Sequence, residues 1–359
     1  MNILISGYYG FGNAGDELIL NCIISGIRGH HSRPSITVLS ATPRQTAAHF
    51  SVNSVNRWNP FSVAKALYGS DIVVSGGGGL FQDITGNCGL YYYLAIIAFA
   101  RLLGKKVFVY GVGINELKKI NKFWTALVLK MADTITLRES YSHDLLKKWG
   151  CAAKHLEITA DPVLENEIIP RPALNPVNPK IALVLRPPRK NDRYDAGLFA
   201  KLADSLIQRI GARIVFIPFH FEQDMPFTLS VMNSMHNSAR LIQWSNARQL
   251  YPVIGEVDMV ISQRLHGLIL AALNRIPFLA ISDDAKIDRF AWELGQKNIS
   301  PLKGANPYSL LAMIVDIWEW RDDFRSSMGK ILPSFRLRAR INPALLIQMA
   351  DSIGRKTQP

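Results

Sequence analysis

Cysteine is almost missing from the chain. Cys22, Cys88 and Cys151 stand far apart in 359 residues, and none falls into a C-x-x-C pair. That excludes a disulfide framework and a cysteine-rich zinc site, and it fits a reducing compartment. Long apolar runs are lacking too. The greasiest stretch, Leu90 to Ala100, stops at Arg101, short of the ~20 apolar residues that a bilayer span takes. The opening residues, Met1-Asn2-Ile3-Leu4-Ile5, put no basic stretch before the apolar one, so no secretory signal is expected and the chain reads as cytoplasmic. Acidic residues are outnumbered, 28 Asp and Glu against 41 Lys and Arg, for a formal charge of +13. That excess suits acidic partners such as phosphorylated substrates or an anionic membrane surface. Yet no run of Lys or Arg exceeds two, and aromatics do not interleave with basics in a stripe, which argues against nucleic acid.

What is present describes a packed globular protein. Hydrophobic residues make up 48% and charged residues 19%, and the length calls for two domains. Short apolar runs alternate with helical patterns along the first half: Asn2 to Ser6, Ile36 to Leu39, Asp71 to Ser75, Lys106 to Tyr110, Thr134 to Leu137 and Leu156 to Thr159. Alternation of this kind, with glycines after the strands, predicts a parallel sheet covered on both faces. After the first strand comes Gly7-Tyr8-Tyr9-Gly10-Phe11-Gly12-Asn13-Ala14-Gly15-Asp16-Glu17. Its G-x-G-x-x-G spacing suggests a dinucleotide loop, but the next strand ends in Ser40-Ala41-Thr42, with no acid for a ribose hydroxyl. Two carboxylates in the first helical turn also repel a pyrophosphate. The loop instead suits a neutral, hydroxyl-rich ligand brought close to the backbone at Gly12 and Asn13. Asp16 serves there as an acceptor or base, or else as a helix-capping acid. A second loop, Gly76-Gly77-Gly78-Gly79-Leu80-Phe81-Gln82-Asp83, has more glycines than packing asks for. Gly77, Gly78 and Asp83, with Thr85 and Asn87, are expected beside Asp16.

The first domain is expected over 1–165. A linker over 166–179 holds Pro170, Pro172, Pro176 and Pro179, which rule out a helix. A second Rossmann-like domain is expected over 180–335. Its strands are Ile181 to Leu185, Arg213 to Ile217, a weak Arg240 to Ile242, Met259 to Ile261 and Pro277 to Ile281, and all but the weak one meet Arg, His or Asp at their carboxyl ends. Open α/β sheets bind ligands at those ends. His220 and Asp224 stand at one such end and Arg138 at another in the first half. Ser262-Gln263-Arg264-Leu265-His266-Gly267 is the most concentrated: a fixed cation and a proton-carrying imidazole lie two residues apart at the entrance of a helix, which itself attracts anions. The segment 336–359, with basics at period two and an apolar-sided helix from Pro343 to Ile353, is expected to pack back on the first domain. Its adjoining basic and apolar residues also fit a membrane-surface contact.

The two glycine loops and the Arg-Leu-His stretch, in this order and spacing, resemble the polysaccharide pyruvyl transferase family, in particular its CsaB-type cell-wall branch. The resemblance implies an α/β fold of two Rossmann-like parallel-sheet domains facing a cleft, as in GT-B glycosyltransferases. It also implies phosphoenolpyruvate as donor, a cell-wall or exopolysaccharide precursor sugar, lipid-linked in some cases, as acceptor, and a pyruvate ketal as product. Arg264 and His266 match the family's donor motif, and Arg138 matches a donor arginine. Gln263 departs from the more apolar residue expected there. On chemical grounds Arg264 and Arg138, with backbone donors of a helix starting at Gly267, receive the charged donor. His266 protonates its methylene carbon, and Asp16 or Asp83 takes a sugar proton. The acceptor or cleft side comprises Gly12, Asn13, Gly77, Gly78, Asp83, His220 and Asp224. Neither a cofactor nor a metal is called for. Two rivals stay open: a GT-B glycosyltransferase using a nucleotide sugar, with Asp283 or Asp284 on the ribose, and a non-catalytic saccharide-binding protein.

Overall fold

A computed structural model describes the chain except residues 31–33, 85, 152, 168–176, 190–193, 297, 298 and 355–359. Most of the linker expected over 166–179, and Thr85, lie outside the described residues. The chain divides into two units, Met1–Asn166 with Ser334–Pro359, and Glu167–Pro333.

In the first unit, β1 (Asn2–Ser6), α1 (Ala14–His30), β2 (Ser35–Ser40), α2 (Pro43–Phe50), β3 (Asn53–Asn56), α3 (Pro60–Tyr68) and β4 (Ile72–Ser75) are followed by β5 (Gly78–Phe81), α4 (Asn87–Leu102), β6 (Lys106–Ile114), α5 (Lys119–Leu129), β7 (Thr134–Leu137), α6 (Ser140–Lys148) and β8 (Leu156–Ile158). The strands pair in parallel in the order β3-β2-β1-β4-β6-β7-β8, with β5 also on β6. Val73, Val74, Val107, Val109 and Ile135 are wholly buried, as befits strands covered on both faces. The second glycine run is not all loop. Gly78 and Phe81 pair with Val112 and Ile114 of β6, so the run re-enters the sheet after a single turn. Gly78, at φ +89, supplies a backbone conformation that other residues resist.

The second unit contains β9 (Lys180–Val184), α7 (Ala196–Ile210), β10 (Arg213–Phe216), α8 (Phe221–Asn233), β11 (Arg240–Leu241), α9 (Leu250–Gly255), β12 (Met259–Ser262), α10 (Leu265–Leu273), β13 (Phe278–Ile281), α11 (Ala285–Glu293), β14 (Ile299–Ser300) and α12 (Pro307–Glu319). Its strands are parallel in the order β11-β10-β9-β12-β13-β14. Both sheets thus reverse their winding at one point, between β1 and β4 and between β9 and β12, and the carboxyl ends there form the crevice of such a fold.

The tail corrects one expectation. It is no separate basic segment with a following helix but the second part of α13 (Arg321–Gly354), which continues past Pro333 and Pro343. Each proline removes a helix hydrogen bond. Contacts to the first unit compensate: the Arg338 guanidinium donates to the Thr159 carbonyl at 2.7 and 3.1 Å, and Asn342 donates to the Ala160 carbonyl. Phe335, Ala339, Leu346 and Met349 are buried, so that apolar side faces protein and is not offered to a membrane. Among the described residues no helix is long and apolar enough to cross a membrane.

Candidate functional site

In the second unit β12 delivers its last residues to the winding reversal. The Ser262 hydroxyl accepts from the Arg264 N–H at 3.0 Å and donates to the Arg264 carbonyl at 2.8 Å, which closes the turn. Arg264 has extended backbone and is the N-cap of α10. The helix therefore begins at Leu265, two residues before the Gly267 start expected from the sequence. The Gly267 N–H donates to the Arg264 carbonyl at 3.1 Å and is spent on the helix rather than offered to an anion. Gly267 has a different use: a Cβ there would collide with the Ser262 hydroxyl, so only glycine lets the turn close. His266 lies half-buried in the first turn.

Arg264 is held from a second element. Its Nε and Nη2 meet the two carboxylate oxygens of Asp224, a wholly buried residue in the first turn of α8. Asp224 also accepts from the backbone N–H groups of Phe219 and His220, at 3.2 and 2.9 Å. A carboxylate with this many donors orients the guanidinium as a fork. His220, the buried N-cap of α8, is held below its ordinary pKa by burial and then by the Arg264 charge; its imidazole is neutral near pH 7. The sequence put His220 and Asp224 with the acceptor residues, whereas the structure groups both with Arg264. Gln263 is buried, and its Oε1 accepts from the Arg186 N–H at 3.1 Å, tying the end of β12 to the chain leaving β9. This explains a polar residue where an apolar one was expected.

Further along the same edge, Asp284 caps α11 through the Lys286 N–H, with Lys286 Nζ at 3.2 Å and Arg189 Nη2 at 4.0 Å. Burial acts to raise the Asp284 carboxyl, but Lys286, its backbone bond and Arg189 outweigh that and hold it below the usual range. Asp283 accepts from the Leu302 and Lys303 N–H groups. Both acids have partners within the protein.

In the first unit the glycine loop is held by the residues that follow β2. The Ala41 N–H donates to the Tyr9 carbonyl, and the Thr42 hydroxyl to the Gly10 carbonyl at 3.1 Å. Gly10 and Gly12 have φ of +78 and +66. Asn13 precedes α1 and accepts from the Gly15 N–H at 3.1 Å. Asp16 reaches the second loop: a Cβ on Gly78 would lie 2.7 Å from its Oδ1, and one on Gly77 would lie 2.9 Å from Ile19 Cγ2. The structure thus brings Gly12, Asn13, Asp16, Gly77 and Gly78 to one strand edge. Asp83 is placed differently. It is buried and accepts from the Lys118 N–H at 2.8 Å and from Asn121 Nδ2 at 2.7 Å, so its carboxylate anchors the start of α5. Asn87 is exposed at the start of α4. Arg138, after β7, is nearly buried. Its Nη1 meets Asp161 Oδ2 at 3.0 Å, with 5% and 4% of the two side chains exposed, and its guanidinium lies over Gly113, where a Cβ would sit 2.6 Å from Nε.

Two residues of this edge were not among the site residues expected from the sequence. Glu17 Oε1 accepts from the Gly10 N–H at 2.7 Å, and burial pushes its carboxyl up to about 7 against that bond. Arg57 is buried beyond β3, donates to the Gly7 carbonyl at 2.7 Å, and sits 4.4 to 5.4 Å from the ring centroids of Tyr92, Phe11, Trp58 and Tyr93. The position of Arg57 after a strand was the available signal, but Asn53-Ser54-Val55-Asn56 does not read as one. Among the described residues no three His, Cys, Asp or Glu side chains are grouped to hold a metal ion.

The family model described as polysaccharide pyruvyl transferase matches residues 13–284. No curated protein matches the chain. Similar solved structures include the UDP-GlcNAc 2-epimerase of Neisseria meningitidis bound to UDP-GlcNAc, with TM-score 0.66, 12% identity, and 97% of this chain and 100% of that one covered. Anabaena HepE in complex with UDP gives TM-score 0.63 at 12% identity, covering 98% of this chain and 100% of that one. The UDP-N-acetylglucosamine 2-epimerase of Rickettsia bellii gives 0.63 at 12%, covering 99% of each. At such identity the likeness establishes the fold, two parallel-sheet α/β domains of the GT-B-like kind.

Proposed function

The chain belongs to the polysaccharide pyruvyl transferase family, and on that premise we propose that it moves a pyruvyl group from phosphoenolpyruvate to a saccharide, closing a ketal across two sugar hydroxyls. The observation that carries the reading is Arg264. It caps a helix at the winding reversal of the second sheet, oriented by Asp224, with His266 two residues on. A donor with a phosphate and a carboxylate needs forked cations and helix N–H groups, and a helix entrance with an arginine supplies both. Lys286 and Arg189 add positive charge along the same edge. Arg138, matched to a donor arginine by the resemblance, is buried against Asp161 in the first unit, and the reading does not rest on it.

In the proposed reaction His266 gives a proton to the methylene carbon of the donor as a sugar hydroxyl attacks the neighbouring carbon. That carbon then carries methyl, carboxylate, phosphate and the sugar oxygen. Phosphate leaves, the second hydroxyl adds, and its proton ends on phosphate or solvent. Asp16 is the proposed acceptor of a hydroxyl proton, in a glycine loop whose lack of side chains suits the close approach of a neutral, hydroxyl-bearing ligand. The acceptor is proposed to be a cell-wall or exopolysaccharide precursor. Purified protein incubated with phosphoenolpyruvate and a panel of such saccharides is expected to release phosphate and add a pyruvyl mass to one of them. Phosphate release and mass gain absent from every saccharide, with a nucleotide sugar consumed instead, would replace the proposal with glycosyl transfer.

A further inference from the structure

Helix α5 presents an apolar stripe to water. Ile120, Phe123, Trp124 and Leu127 recur at the i, i+3, i+4, i+7 spacing of one face, and all four are exposed, Phe123 by 59%. The opposite face is buried and mixed: Ala126 and Leu129 pack in the core, and the polar Asn121 and Thr125 are wholly buried beside them. Asn121 is used there: it donates to Asp83 and Asn87 and accepts from the Tyr91 hydroxyl at 2.8 Å. The usual pattern puts the apolar stripe inside; α5 buries Ala126 and Leu129 and carries a second apolar stripe outside. The neighbouring helix α4 repeats the feature with Phe99, Leu102 and Leu103, Leu102 being 77% exposed, and α3 does so with Phe61 and Tyr68. Adjacent apolar stripes on three neighbouring helices make a patch of the sort that marks an interaction surface.

The charge around the patch selects the partner. From 101 to 130 the chain has seven basic residues and one acid, Glu116, which is paired with Lys122. Lys118, Lys119 and Lys130 stand exposed at the two ends of α5, and Lys105 lies 5.5 Å from the Tyr68 ring centroid. A second copy of the chain would bring like charges together across a self-complementary contact. An anionic bilayer instead takes apolar and aromatic side chains into its interface and holds lysines at its headgroups.

We propose that the outer faces of α3, α4 and α5 dock the protein on an anionic lipid bilayer. The docking itself is independent of the reaction; only its purpose, access to a saccharide carried on lipid, rests on the function proposed above. The test is sedimentation of the full chain with vesicles of phosphatidylcholine alone and of phosphatidylcholine with phosphatidylglycerol. Binding is expected to the anionic vesicles, weakening with salt. Phe123→Glu together with Trp124→Glu is expected to lower it at least about tenfold, and Lys118→Glu with Lys119→Glu to flatten its salt dependence. Circular dichroism and turnover of a water-soluble saccharide by each variant, both expected unchanged, separate lost docking from lost fold. Anionic vesicles that fail to bind the wild type, or that bind all the variants equally, overturn the proposal. So does a wild-type dimer that the Phe123 and Trp124 changes dissociate while vesicles stay unbound. Vesicle binding without phosphoenolpyruvate turnover on any acceptor leaves the docking standing and removes the catalytic reading.

Discussion

The two winding reversals share a strand order and differ in what lines them. In the first unit β1 and β4 end in Ser6-Gly7 and Ser75-Gly76. Side chains there are withdrawn, and Asp16 and Glu17 bring carboxylates to a glycine-framed edge. In the second unit β9 and β12 lead into Arg186 and Arg264, with Arg189 and His266 two or three residues on, and His220 and Lys286 follow the neighbouring strands β10 and β13. On the proposed function, the first edge is the one that meets sugar hydroxyls and the second the one that meets the anionic donor. The contrast teaches that the same topology is specialised by a few residues after each strand, where side chains no longer serve the core.

The sharpest way to break the contrast is to remove the proton carrier from the cationic edge. His266→Ala is expected to lower kcat by about 10²–10⁴-fold, the range for losing a general acid, with the circular dichroism spectrum unchanged; a normal rate would take His266 out of the chemistry. Asp224→Asn addresses the orientation of Arg264. Breaking a buried ion pair costs about 3–5 kcal/mol. Arg264 is 23% exposed and water can take over part of its solvation, so a smaller loss of about 2–3 kcal/mol is expected by denaturant unfolding, together with a raised KM for phosphoenolpyruvate.

The carboxylate edge yields a pH test. Glu17 is raised from the usual carboxyl value of 4.5 to about 7 in the folded protein. Below the lower value both states are protonated and the stabilisation is complete. As pH rises the unfolded chain ionises first, so stability falls across the window and is lost once pH passes about 7, by on the order of 3 kcal/mol. Glu17→Gln keeps an oxygen for the Gly10 N–H and cannot ionise. It is expected to remove that slope and to be the more stable form at pH 8. The smallest effect is expected at Gln263→Met. The substitution leaves the Arg186 N–H without its acceptor, for about 1 kcal/mol in thermal or urea unfolding.

How much of this was legible in the sequence follows the burial of each element. β1, β4, β6, β9, β12 and β13 are apolar runs buried in the sheets, and their pattern announces them. β3, Asn-Ser-Val-Asn, lies at the sheet edge and is only partly covered, so it has no apolar signature, and Arg57 after it was missed with it. The glycines of β5 join the sheet through backbone bonds alone, which side-chain patterning cannot show. α13 passes two prolines, and the partners that hold Arg338 and Asn342 there lie some 180 positions away in the chain, beyond what local patterning can show. Likewise Arg264 and His266 were readable from their place after β12, whereas the pairing of Arg264 with Asp224 spans forty residues and needs the fold to bring it about.

The central claim, that the cationic edge of the second unit receives the donor, is tested most directly by calorimetric titration of phosphoenolpyruvate into the wild type and into Arg264→Ala. The account predicts saturable binding to the wild type, weakened at least about tenfold by the substitution, as loss of one charged, forked contact requires. Equal affinities for the two proteins would contradict it.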